Sequence, residues 1–242
     1  LIVIFFSNVF ATVFLCSCSN ALSYENKGEN SIQTAISKLK TNNPQWLEQY
    51  TVKGKFLDLQ TTKQHPGCRE IKRSYIKNIS SLKGLNITGL NLSLSDVSDL
   101  TPLLGITLTE LYIMGTPITN ESLKALKNMK LTTLDINGCK KISDISVLTG
   151  MPLNTLDLGF TKVTDLSPLR GMPLRYLNLQ DTEISDISGL QGMKLEVLNL
   201  YNTKVSDLSP LKGMPLLVLN IANAPVKSLA PVSGNKSLRI KK

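Results

Sequence analysis

Two aspartates stand in matching surroundings, Asp135 in "TLDINGC" (133–139) and Asp157 in "TLDLGFT" (155–161). Carboxylates placed side by side on adjacent strands lie about 5 Å apart. That separation suits paired-acid catalysis or a weak Ca²⁺ site. The weightier reading is a polar, solvated sheet face. Other chemistry is as thin. The lone His65 lies in "HPGC" beside Cys68, a turn composition, and one His with one Cys falls short of a zinc set. No P-loop, G-x-S-x-G, H-E-x-x-H or kinase signature occurs. The sequence therefore names no catalytic residue, metal ligand or cofactor.

The elements that position the two aspartates follow from a repeat. "TKVTDLSPLRGMPL" at 161–174 returns as "TKVSDLSPLKGMPL" at 203–216, with "TEISDISGLQGMKL" at 182–195 between them, a period of 21. The full unit reads L-x-x-L-x-L-x-x-T-x-I/V-S/T-D-L/I-S-P-L-x-G-M-P. Units open at Ile87, Leu108, Leu131, Leu153, Leu174, Leu195 and Leu216, and Leu238 opens another. "GKFLDLQTT" (54–62) and "IKNISSLKGLNI" (76–87) read as two halves of an earlier unit, split by an insertion containing "QHPGCREIKRS".

Within a unit, Leu156 and Leu158 alternate with polar residues, which predicts a short strand with one buried face. Val163, Leu166, Leu169 and Met172 are spaced irregularly and must turn inward from a return path that is mostly not helical. One unit cannot bury enough to order itself, so the units must stack and share a core. Ser167-Pro168 predicts an N-cap and first position of a single 3-10 or α turn, Asp165 an acceptor just before it, and Gly171 its end. Asp99, Asp144, Asp186 and Asp207 hold the same column as Asp165, with Asn120 once. They read as one capping residue per rung.

The unit resembles the leucine-rich repeat, L-x-x-L-x-L-x-x-N/C-x-L, and most nearly the short bacterial repeats of internalin-like surface proteins and of arrays attached to some bacterial protein kinases. The resemblance implies an α/β leucine-rich solenoid with a parallel sheet on the concave face and turns with short 3-10 segments on the convex face. The usual Asn column is Thr here, at Thr116, Thr161, Thr182 and Thr203, with Ser95, Cys139 and Ala224. The family tolerates Cys in that column, which implies that Cys139 is buried structure. The role the resemblance implies is protein–protein interaction.

On that fold, the third, fifth and seventh residues of each unit are expected to be exposed on the concave face. They are rich in Tyr and Asn and poor in Lys, a composition found at interfaces. Tyr112, Asp135, Asp157, Tyr176, Asn178, Val197, Asn199, Tyr201 and Asn220 are the candidate partner-binding residues, with Phe160 at the edge.

The ends supply the rest. Residues 1–23 read as an export signal, uncharged and mostly apolar through residue 15. "LCSC" resembles a bacterial lipobox that would lipidate Cys18; "SNA" suits ordinary cleavage after Ala21; a retained anchor is the third option. Each places the remainder outside the cytoplasm, lipid-anchored in the cell envelope or secreted. Residues 24–53 read as an N-terminal helical cap, with Ser31 as N-cap, Ile32, Ile36 and Leu39 on the inner face and Trp46 in the cap core. Residues 54–86 form the irregular repeat and 87–242 the array. Arg and Lys in "SLRIKK" would guard an open edge strand. The net charge of +9 does not reside in the array, where 87–237 carry 13 basic and 13 acidic residues. A basic stripe for nucleic acid is therefore lacking. The reading is an exported protein-binding module whose partner the sequence does not name; a structural envelope component, or a piece of a larger multidomain protein, is the alternative.

Overall fold

A computed structural model describes residues 27–46, 50–59 and 74–242. The export signal with Cys18, and the insertion with His65 and Cys68, lie outside these residues. Among the described residues ten strands of three residues each form one sheet in chain order. They are β1 (Thr51–Lys53), β2 (Phe56–Asp58), β3 (Gly89–Asn91), β4 (Glu110–Tyr112), β5 (Thr133–Asp135), β6 (Thr155–Asp157), β7 (Tyr176–Asn178), β8 (Val197–Asn199), β9 (Val218–Asn220) and β10 (Arg239–Lys241). From β2 to β10 every pairing is parallel, and only β1–β2 is antiparallel. This is a leucine-rich repeat solenoid. The split unit forms a rung as well: β2 pairs with β3, and a 3-10 turn at Ser80–Leu82 follows.

The register stacks identical side chains. Leu57, Leu90, Leu111, Leu134, Leu156, Leu177, Leu198 and Leu219 follow one another across the sheet, each fully buried. The irregularly spaced Val163, Leu166, Leu169 and Met172 close the core from the return path. Each return path holds a three-residue 3-10 turn, as at Ser167–Leu169 and Ser209–Leu211. The turns end where the chain enters the left-handed region, at Gly84, Gly105, Gly150, Gly171, Gly192 and Gly213, with φ of 74–84°. Asn128 takes that place in one rung.

The column of acids caps the turns. Asp99, Asp144, Asp165, Asp186 and Asp207 each accept a backbone N–H from two residues on, at 2.7–2.8 Å. Ser167 itself is not the cap. It is the first residue of the turn, its N–H donates to Asp165 Oδ1 and its hydroxyl to Asp165 Oδ2 at 2.8 Å. Asn120 also departs from the expectation. Its rung carries a short α2 (Asn120–Leu123) capped by Thr119, and Asn120 Oδ1 accepts the N–H groups of Ser143 and Asp144 on the next rung.

α1 spans Lys27–Asn42, so Ser31 lies inside the helix rather than at its cap. Ile32, Ile36 and Leu39 are buried, as is Trp46. Asn43, at the helix end, joins α1 to the first rung. It donates to Leu39 O and Asn78 O, both at 2.8 Å, and accepts from Lys77 N and Asn78 N at 2.8 and 2.9 Å.

Candidate functional site

The fifth position of each unit behaves differently from the expectation of an exposed face. Asp135, Asp157, Asn178 and Asn220 are only 4–6 % exposed. Their short side chains fold back on the strand that carries them. The oxygens of Asn91, Asp135, Asp157, Asn178, Asn199 and Asn220 each accept the backbone N–H two residues on, at 2.9–3.2 Å. This is the Asx turn that Asn and Asp favour, and it satisfies an amide just past each strand. The signal was present in the sequence: six of seven units carry Asn or Asp there, too narrow a choice for a freely varying surface position. Tyr112 is the exception, and its hydroxyl donates to Glu110 Oε2 at 3.1 Å.

The third and seventh positions provide more of the accessible surface. Tyr176, Val197 and Tyr201 are half-buried on adjacent rungs, with Tyr176 paired in register to Val197. Asn199 reaches back to Gln180 Oε1 at 3.1 Å, and the Tyr201 hydroxyl accepts from Asn223 Nδ2 at 3.1 Å. Tyr112 stands apart from this cluster; β5 and β6 intervene, and its ring lies 6.0 Å from Phe56. Phe160 is 42 % exposed and has φ of 56°. Its column otherwise holds Gly115, Gly138, Asp181, Asn202 and Asn223, residues suited to that region, with Leu94 the other bulky member.

Asp135 and Asp157 are brought together as expected, directly opposite each other across β5–β6. Their surroundings are unequal. Asp157 accepts from Asn178 Nδ2 on both oxygens at 3.0 Å, from Asn137 Nδ2 at 3.0 Å and from Gly159 N at 2.9 Å. Asp135 accepts only from Asn137 N. Burial, then the charge of Asp157, pushes the Asp135 carboxyl up to about 7. Burial also raises Asp157, against the pull of its amide donors. Gly159 makes room for the network: a Cβ there would sit 2.6 Å from Asn137 Nδ2. Among the described residues no group of three or more His, Cys, Asp or Glu converges to hold a metal ion, and Ca²⁺ takes about six to eight oxygens.

Comparison with known proteins agrees with the repeat fold. A family model described as Leucine Rich repeats (2 copies) matches residues 174–213, and one described as Leucine Rich repeat matches 106–127 and 127–148. The crystal structure of internalin C2 from Listeria monocytogenes is similar at 28 % identity and a TM-score of 0.64, over 71 % of this chain and 78 % of that one. An internalin (inlF) from the same species is similar at 30 % identity and a TM-score of 0.63, over 70 % of this chain. The match spans 51 % of that second protein. No curated protein sequence matches significantly.

Proposed function

This chain is a bacterial leucine-rich repeat protein, and we propose that it is an exported protein-binding module whose partner seats on the concave face of the solenoid. Arrays of this kind use their extended sheet face for binding. The observation that carries the reading is the set Phe160, Tyr176, Val197 and Tyr201. These aromatic and apolar side chains lie on neighbouring rungs, half-buried or, for Phe160 at the edge, exposed, beside a fifth column that is largely taken up with capping its own strands. Phe160 is the sharpest member. It keeps a strained backbone where Asn or Gly would relieve it, and such strain concentrates at functional sites. Tyr112, Asn199 and the rims of the buried Asp135, Asp157, Asn178 and Asn220 complete the proposed contact surface. The apolar leader supports export, with Cys18 as the lipid attachment point if the anchor is a lipid. No described helix is long and apolar enough to cross a membrane. No cofactor, metal or nucleic acid enters the proposal.

The test is affinity capture from envelope and medium extracts of the producing cells, with residues 24–242 as bait. The comparison bait carries Phe160→Asn, Tyr176→Thr, Val197→Thr and Tyr201→Ala. Each replacement is polar or small; Asn, Thr and Ala already occupy these columns at Asn202, Thr155 and Ala222, so the fold is expected to hold. A protein retained by the parent and lost by the variant is the expected result. Equal retention by both, or none by either, would move the function to the ends of the chain, as a structural envelope component requires.

A further inference from the structure

We propose that Asp135 and Asp157 hold a single proton between them, giving the concave face a charge step that gates what it binds. The gating half rests on the concave-face reading; the shared proton does not. The geometry makes the argument. The two carboxyls lie directly opposite on neighbouring parallel strands, a spacing of about 4.8 Å. Both are withdrawn from solvent, at 4 % and 6 % exposure. Like charges at that distance, away from water, resist being ionised together.

Among the described residues the groups facing the pair offer no relief. From β4 comes Tyr112, in register with Asp135, with its hydroxyl bonded to Glu110. From β7 comes Tyr176, and from the loop behind β5 the thiol of Cys139. Burial first, then Glu110 and last Asp135 for Tyr112, and burial followed by the two aspartate charges for Tyr176, push both phenols above the ordinary range; burial pushes the Cys139 thiol up to about 11. None of these groups is a cation. Asn178, Asn137 and Gly159 direct four hydrogen bonds at Asp157, whereas Asp135 receives one. The amides therefore hold Asp157 as the carboxylate and leave the proton on Asp135. Burial and the neighbouring charge of Asp157 push Asp135 up to about 7, in the same sense. As the pH rises through that value the pair passes from one negative charge to two. A partner that places a positive group over the pair gains from the second charge, and by linkage its binding draws the proton off.

The experiment is a pH titration of the intact chain with ¹³C-labelled aspartate carboxyls, read by NMR beside Asp135→Asn. Asn already holds this position at Asn91, Asn178, Asn199 and Asn220 with the same backbone bond, so the variant keeps the turn. The parent is expected to show one carboxyl step with a midpoint of about 7, with the Asn137 and Gly159 amides shifting in the same step, and the variant is expected to lose it. The sign for stability follows. Below an unfolded value of 3.8 both states are protonated; between there and about 7 the folded chain holds more protons, so the thermal midpoint falls as pH rises. Asp135→Asn loses that fall. Two carboxyls that both titrate below pH ~5, near their ordinary range, or a step that survives in the variant, would overturn the shared proton. The captured partner is then eluted across the same pH range. Several-fold stronger retention above the step, absent in the variant, supports gating. Retention indifferent to pH overturns it. Capture of no partner at all would sink the concave-face reading and leave the titration to decide the pair.

Discussion

Thr116, Thr161, Thr182 and Thr203 stand where this repeat commonly carries Asn, and each buried hydroxyl donates to the carbonyl three residues back at 2.6–2.8 Å. Thr bonds through one short arm where Asn could bond through two groups, and that is sufficient here because the fifth-position Asn and Asp side chains satisfy the neighbouring amides. Replacing Thr182 by Val keeps the shape and removes the donor to Leu179 O. We expect a loss of about 1–2 kcal/mol in urea unfolding, mostly recovered by Thr182→Ser; an unchanged midpoint would mean that the hydroxyl is dispensable. The same scale shows what a sequence conceals. The exposed acids were legible as turn caps because Asp with Ser or Thr two residues on is local chemistry. The fifth column was misjudged because strand alternation assigns a side to each residue but does not say whether a short polar side chain on that side reaches solvent or its own backbone. Asp135 and Asn178 do the second.

Between elements, the close approach of consecutive 3-10 turns sets the rung spacing on the convex side. Pro102, Pro168, Pro210 and Pro231 hold the middle of such turns, and Gly189 holds it in the turn Ser188–Leu190. Its role is packing. A Cβ on Gly189 would meet Leu166 O at 2.6 Å and Leu166 C at 2.8 Å, atoms of backbone that cannot swing away. Gly189→Ala is expected to destabilise by about 1–3 kcal/mol and to speed hydrogen exchange at Leu169 and Leu190, the amides that close the two turns. Gly234→Ala, which meets nothing within 4 Å, is the control and should change little. A Gly189→Ala variant as stable as that control would show that the turns can separate without cost. The period, the strands and the turns were all readable because each repeats; Gly189 was not, because a contact between two rungs leaves no mark within either one. The antiparallel β1 and the early start of α1 at Lys27 were missed for a related reason: they occur once, and no second copy exposes them as elements.

At the scale of the whole molecule, a solenoid gains stability one interface at a time, and each rung is held by its two neighbours. The outermost described rungs each pair with one described neighbour, so what packs against them bears on where unfolding begins. At the C-terminal side β10 pairs, among the described residues, with β9 alone, and Arg239 and Lys241 are exposed. At the N-terminal side α1 packs beside the turn Ser80–Leu82, and Asn43 is the polar fastening, 4 % exposed and with both ends of its amide in use. Asn43→Ala removes the partners of Lys77 N, Asn78 N, Asn78 O and Leu39 O together. Buried groups left unpaired make this costly, about 2–4 kcal/mol in total. In a globular core such a loss would spread over every residue. In a stacked array it should stay local: α1 lifts from the first rung, amides such as Leu59, Leu82 and Leu85 lose protection, and those of β7 to β9 keep theirs. Hydrogen exchange read by mass spectrometry on parent and variant measures this directly. Loss of protection spread evenly to β9 would show that the array unfolds as one unit, and an unchanged first rung would show that Asn43 fastens nothing.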